Sequence, residues 1–170
     1  SGEVVLSSDF MPLWREIMAD TDGYFTRQMW YDRLDLGKTL QGMISAKEAD
    51  EIIRRLSFKS FESEYKIMIV WLPETMNEEA ANKILKILEE PWEKTIFLLV
   101  SERPDRLLQT ILSRTQEVAV PRLTVEDLMP LCEGDEQQRR NIARLAAGDL
   151  IEMRRLAGGD EDAVRAESFE

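Results

Sequence analysis

The sequence predicts an α/β protein, with a parallel-sheet core followed by a smaller all-helical domain. Three observations predict it. Residues 65–72 (YKIMIVWL) and 94–101 (KTIFLLVS) are short, nearly unbroken apolar runs bounded by polar residues. Such runs suit strands buried on both faces of a parallel sheet. The helix-patterned stretch AANKILKILEEP lies between them, and two such strands around one helix make a βαβ unit of right-handed crossover. From Thr124 onward only helix signals remain.

The elements follow in order. Residues 9–20 (DFMPLWREIMAD) read as a helix with Asp9 as N-cap and Pro12 in the first turn. Residues 26–34 read as a second short helix, and residues 37–42 as a turn or extended link. Ser45 and Glu48 are spaced as a capping box, opening a helix whose Ala49, Ile52, Ile53 and Leu56 share one face. The first strand ends at Pro73. Asn77 caps the next helix, with Glu78 and Glu79 in its positive first turn. Ala80, Ala81, Ile84, Leu85 and Leu88 form its buried stripe, Glu79 and Lys83 lie four apart on its outer face, and Pro91 stops it. Pro104 suits the first position of a further helix, with Leu107, Leu108, Ile111 and Leu112 as its apolar face. Residues 117–120 (EVAV) read as a short strand. Thr124 and Asp135 start two more helices, Gly148 breaks before a third, and the Gly158-Gly159 pair is expected to end that one.

Composition narrows the chemistry. The 170 residues are 44% hydrophobic and 32% charged, as suits a globular protein with a core. The net charge of −11 argues against a surface built mainly to hold phosphate backbone. A single cysteine, Cys132, allows no internal disulfide and no cysteine-cluster zinc site, and reads as a small buried hydrophobe. The absence of histidine removes Ser-His-Asp triads, Cys-His dyads and histidine metal sites together. No apolar run approaches 18 residues. The opening Ser-Gly, with no Met before it, reads as an appended scar, so the sequence is expected to be a piece of a longer chain.

One stretch carries a resemblance. Residues 81–92 (ANKILKILEEPW) and 107–115 (LLQTILSRT) resemble the bacterial clamp-loader family of AAA+ proteins, nearest to the delta-prime subunits of DNA polymerase III. Those proteins carry A-N-x-L-L-K-x-L-E-E-P-P on one helix and L-L-x-T-I-x-S-R-C at the end of another. The match is long and free of gaps over residues 65–120. It implies a partial AAA+ (P-loop NTPase-like) parallel-sheet core followed by a small α-helical lid. The expected domains are residues 1–115 as an incomplete core, 116–159 as the lid and 160–170 as a linker or tail. Residues 1–44, with Trp14, Trp30 and Tyr31, align with nothing in the family and read as a family-specific insertion.

Three departures bear on mechanism. In ATPase members the first strand ends in an Asp-Glu pair that holds Mg²⁺ and positions water. Here those positions are Trp71 and Leu72, which can do neither, and Glu74 follows a proline beyond the strand. The lid's nucleotide-sensing arginine, in a G-x-x-R sequence, falls at Ile151. No phosphate-binding loop is present: Gly37-Lys38-Thr39 mimics its tail, but Asp32 stands where the first glycine is required. The resemblance therefore implies no intrinsic ATPase, no bound cofactor and no metal in this stretch.

Arg114, flanked by Ser113 and Thr115, matches the family's Ser-Arg-Cys arginine. That arginine resembles a finger aimed in trans at the γ-phosphate held by a neighbouring subunit. Taken without the family, an arginine at a helix C-terminus is simply favourable with the dipole. Glu89-Glu90-Pro91 reads as a solvated helix end, Trp71 as a core aromatic, and Lys66, Lys83 and Lys86 as solvated. The implied role is a non-hydrolysing clamp-loader subunit. Its implied partners are ATPase loader subunits of gamma/tau type, the delta subunit and the sliding clamp, with primed DNA met through the assembled complex. No membrane is implied, and the expected location is cytoplasmic, at the nucleoid-associated replisome. An ATP-hydrolysing loader subunit or a helicase loader stands as the alternative, as does a non-catalytic interaction module. In this fold the strand bearing the phosphate loop lies between 94–101 and 117–120. Its absence is expected to leave an open edge, and so self-association or a rearranged 117–120 strand.

Overall fold

The computed structural model describes residues 5–36, 42–58 and 63–167, with side chains through Gly158. The Gly37-Lys38-Thr39 segment lies outside the described residues. The chain divides into two compact units, residues 1–15 with 31–118, and residues 16–30 with 119–170. The sequence places 16–30 with the sheet; here they group with the later helices.

The first unit is built on two strands, β1 (Lys66–Trp71) and β2 (Thr95–Val100), paired in parallel from Lys66 opposite Thr95 to Trp71 opposite Val100. Three helices accompany them, α1 (Met11–Asp20), α2 (Arg27–Arg33) and α3 (Ala46–Ser57), before β1, although part of α1 and most of α2 belong to the second unit. The crossover helix α4 (Glu78–Glu89) joins β1 to β2. The expected helix start at Asp9 is instead a 3-10 turn, Ser7–Phe10, in which the Asp9 carboxylate accepts from the Leu6 N–H at 2.9 Å. Ser45 caps α3 as expected, accepting from the Glu48 N–H at 3.5 Å. The other half of the capping box is not made, because the Glu48 carboxylate accepts from the Ser7 N–H at 2.9 Å. A tertiary donor has displaced a local one.

Asn77 caps α4, accepting from the Ala80 N–H at 2.8 Å. The Ile44 N–H donates to the Thr75 carbonyl at 3.1 Å, and the Asn77 N–H to the Ile44 carbonyl at 3.0 Å. This short parallel bridge sets the starts of α3 and α4 side by side. Their facing stripes then form one core of Ala49, Ile52, Leu56, Ala80, Ile84 and Ile87, with Met68, Phe97, Leu88 and Trp92 packed against it. Ile87 is buried while Leu85 is half-buried, so the stripe is rotated slightly from the sequence reading. Lys66 is half-buried and tied down: its Nζ donates to the Leu56 carbonyl and, at 3.2 Å, to the Phe58 carbonyl. Lys83 pairs with Asp50 at 2.8 Å and with Glu79 at 3.5 Å. Arg54 and Arg55 both donate to Glu51, whose carboxyl is thereby lowered from 4.5 to about 2.

The expectation that both strands are buried on both faces is corrected. Met68, Val70, Phe97 and Leu99 are covered, but Ile67 is 59% exposed, Ile69 63% and Leu98 47%. Among the described residues α3 and α4 both pack on one face, and the other is met only at its end, where Trp14 of α1 packs on Trp71. Residues 117–120 form no strand; Val118 and Val120 are exposed, at 76% and 89%. A strand requires a hydrogen-bonded neighbour, and among the described residues β1 and β2 pair only with each other. The exposed apolar patch of Ile67, Ile69, Ile96 and Leu98 and the two open edges predict self-association of the 170-residue chain. Sedimentation velocity should show a concentration-dependent shift that Ile69→Lys with Leu98→Lys reverses. A wild-type monomer at every concentration would overturn this.

After β2 the anticipated long helix is broken in two. A 3-10 turn, Pro104–Arg106, is followed by the short helix α5 (Gln109–Leu112), with Leu107 and Leu108 extended between them. Of the predicted apolar face, Ile111 alone is buried, at 1% exposure.

The second unit holds α6 (Val125–Leu128), α7 (Glu136–Leu145) and α8 (Leu150–Glu167), besides residues 16–30. Thr124 and Asp127 bond reciprocally at the start of α6, as do Asp135 and Gln138 at α7. Leu128, Cys132, Ala143, Ala146, Leu150 and Met153 form the core. Arg154 reaches the Thr21 carbonyl at 3.3 Å, the Asp22 carboxylate at 3.5 Å and the Tyr24 ring at 5.6 Å. The helix does not stop at the Gly158-Gly159 pair but runs to Glu167. A glycine in a helix costs about 1 kcal/mol relative to alanine and does not by itself end one.

Gly148 has φ +84°, and a Cβ there would lie 2.6 Å from the Leu123 carbonyl and 2.7 Å from the Arg122 Cβ. Both neighbours are held: the Leu123 N–H donates to the Gly148 carbonyl at 3.3 Å and Arg122 Nη1 to the Ala147 carbonyl at 3.1 Å. Gly148→Ala is expected to cost about 2 kcal/mol or more, read as a lowered thermal midpoint. An unchanged midpoint would mean that this turn can open freely.

Candidate trans-acting arginine site

The short α5 places the Ser113-Arg114-Thr115 motif. Ile111 is buried and anchors the helix, and Ser113 closes it with its N–H donating to the Gln109 carbonyl at 3.0 Å. The Thr115 hydroxyl turns back onto the Ile111 carbonyl at 3.0 Å. It is half-buried and serves the helix end. Ser113 donates through Oγ to the Thr110 carbonyl at 3.0 Å. Arg114 is exposed. Its Nη1 donates to the Thr110 carbonyl at 3.0 Å and to the Ser113 Oγ at 3.2 Å. Its Nη2 lies 2.7 Å from a carboxylate oxygen of Glu89, at the end of α4. Ser113 and Arg114 therefore form one surface group, with Ser113 touching the guanidinium directly, while Thr115 stays apart from it.

Glu89 was missed by sequence reasoning, which read it as a solvated helix end. The signal that could have found it is weak. An acid in the last turn of a helix opposes the dipole and calls for a nearby cation. Nothing local says which cation, because Arg114 lies 25 positions on, in the turn after α5.

Trp71 and Leu72, where the resemblance places the acidic pair of ATPase members, are both engaged in the fold. Trp71 packs its ring on Trp14, with centroids 5.3 Å apart. Leu72 is buried at 4% exposure and stands in the left-handed region, φ 56°, where a branched side chain is strained. It makes the turn into Pro73 while its N–H still donates to the Val100 carbonyl at 2.9 Å. Glu74 is engaged structurally, accepting from the Ser101 hydroxyl at 2.8 Å and the Glu102 N–H at 3.1 Å. A cleft of about 450 Å³ opens beside it, lined by Pro73, Met76, Glu78, Asn82, Arg106 and Leu108 among others. Arg114, Glu89, Trp71 and Leu72 all lie outside the lining of that cleft. At Ile151, where the resemblance places a sensor arginine, the N–H is accepted by the Asp149 carboxylate at 2.9 Å. Arg154 and Arg155, one turn on, are tied to Asp22 and Glu152 respectively. Among the described residues no cluster of three or more acidic or cysteine side chains could hold a metal ion, and no helix is long and apolar enough to cross a membrane.

Comparison with known proteins gives a consistent picture. Residues 25–124 match the family model described as DNA polymerase III, delta subunit, so residues 25–44, which the sequence motifs left unaligned, fall within the match. The DNA polymerase III subunit delta' of Bacillus subtilis is 31% identical over 121 residues, covering 69% of this chain and 36% of that protein. The same subunit of Pseudomonas aeruginosa is 48% identical over 56 residues, covering 33% of this chain and 17% of that protein. Among solved structures, a DNA polymerase III gamma subunit-related protein from Thermotoga maritima superposes with a TM-score of 0.56 at 28% identity. The aligned region covers 75% of this chain and 44% of that one. The chain thus spans about a third of the Bacillus relative and under half of the Thermotoga protein. The small parallel sheet with its helices is a partial AAA+ fold, as expected.

Proposed function

The chain belongs to the DNA polymerase III delta-subunit family, and from that premise we propose that it serves as a non-hydrolysing subunit of the bacterial clamp loader. In this reading it supplies Arg114 in trans to a neighbouring ATPase subunit of gamma/tau type. The observation that carries the reading is the display of Arg114 on the surface at the end of α5, its guanidinium held by backbone and side-chain contacts. A guanidinium in that posture can meet charge developing on a phosphoryl group without being drawn from a buried site. The apolar pair Trp71 and Leu72 supports the non-hydrolysing half of the proposal, since neither can hold Mg²⁺ or orient water. Nucleotide binding by this chain itself is expected to be negligible.

The further partners in this proposal are the delta subunit and the sliding clamp, with primed DNA engaged by the assembled complex in the cytoplasm. The experiment is ATPase and clamp-loading by a complex rebuilt with the full-length protein, wild type against Arg114→Ala. A large loss with assembly intact supports the reading. Unchanged rates overturn it.

A further inference from the structure

We propose that Glu89 is a positioning residue for Arg114, an assignment that rests on the trans-arginine reading of the same site. Glu89 closes α4, where the negative pole of the helix disfavours a carboxylate. It nevertheless stands 2.7 Å from Arg114 Nη2. The opposite nitrogen, Nη1, is held by the Thr110 carbonyl at 3.0 Å and the Ser113 hydroxyl at 3.2 Å. The guanidinium is therefore gripped on both terminal nitrogens, from two separate helices, although its side chain is 35% exposed.

That grip does little for the fold. The Glu89 side chain is 49% exposed, and ion pairs so open to solvent change a folding equilibrium by a few-fold at most. Ile111, at 1% exposure, already seats α5. What the pair does fix is direction. A solvated arginine samples many rotamers and must give them up to engage an anion. A carboxylate at one nitrogen and two oxygens at the other remove most of that freedom beforehand, so that less is lost on engagement. The plane of the fork is set before any phosphate arrives.

The test uses the complex rebuilt with the full-length protein, and reads kcat and KM for ATP. Glu89→Gln keeps the shape and removes the charge. It is expected to lower kcat about 3- to 10-fold, within the losses that small misplacements of a catalytic group cause, with KM nearly unchanged. Glu89→Asp should fall between it and wild type. In an Arg114→Ala background, Glu89→Gln should have no further effect, because it acts only through the arginine. Thermal melting confirms that each variant is folded. A Glu89→Gln rate at or above wild type, or a loss that persists without Arg114, overturns the assignment. If Arg114→Ala itself leaves the rate unchanged, the trans-arginine reading fails and Glu89 with it. If Arg114→Ala abolishes activity while Glu89→Gln does not lower it, only the role of Glu89 falls.

Discussion

Arg114→Ala is expected to slow ATP hydrolysis at the neighbouring subunit's site by about 10³-fold or more, the size seen when an arginine that stabilises a phosphoryl-transfer transition state is removed. KM should change far less, because the interaction strengthens as charge develops on the transferred group and contributes little in the ground state. The fold should hardly respond. Arg114 touches the Thr110 carbonyl, the Ser113 hydroxyl and the half-exposed Glu89, contacts worth about 0–1 kcal/mol together at such a surface. A large kinetic loss with an unchanged melting curve is therefore the signature. Arg114→Lys should recover only part of the rate, since an ammonium cannot present a planar fork. The readout is steady-state ATPase with assembly checked by gel filtration. An assembled complex that hydrolyses ATP at the wild-type rate would leave this subunit a structural role.

The second large effect is on stability. Ile84→Ala is expected to cost about 2–5 kcal/mol in the first unit, the range for truncating a fully buried aliphatic side chain. Ile84 has no exposed surface and sits among Ala49, Ile52, Leu56, Ala80 and Ile87. Two of these five neighbours, Ala49 and Ala80, are too small to swing in and refill the space, so a cavity persists. Against a total stability of about 5–15 kcal/mol, that loss should unfold much of the unit at moderate denaturant. Leu85→Ala, one position along and half-buried, should cost much less. Equal shifts in the denaturation midpoints of the two variants would mean that α4 does not bury the face seen here.

Much of the fold was legible because it is written in short range. Ser45, Asn77, Thr124 and Asp135 each accept from an N–H three residues on, a relation fixed by residues within one turn. The parallel pair of β1 and β2 followed from two apolar runs separated by one helix. The misreadings came where tertiary context overrode a local pattern. Leu107 and Leu108 have helical apolar spacing, yet the chain is extended there between Pro104–Arg106 and α5. Glu48 is spaced for a capping box, but Ser7, 41 positions away, takes its carboxylate.

The candidate site divides the same way. The sequence by itself placed an aromatic and an aliphatic residue, Trp71 and Leu72, at the end of the first strand, and the Ser113-Arg114-Thr115 motif at the end of a helix after the second. Chemical identity needs no fold to be read. Only the tertiary structure decided that Glu89 meets Arg114, that Arg154 holds residues 21–24, that Ile67, Ile69 and Leu98 are exposed on the sheet, and that residues 117–120 join no strand. The physical reason is common to all four. Each depends on where a distant stretch of chain returns, or fails to return, and a partner that is remote in sequence leaves no period or spacing to read.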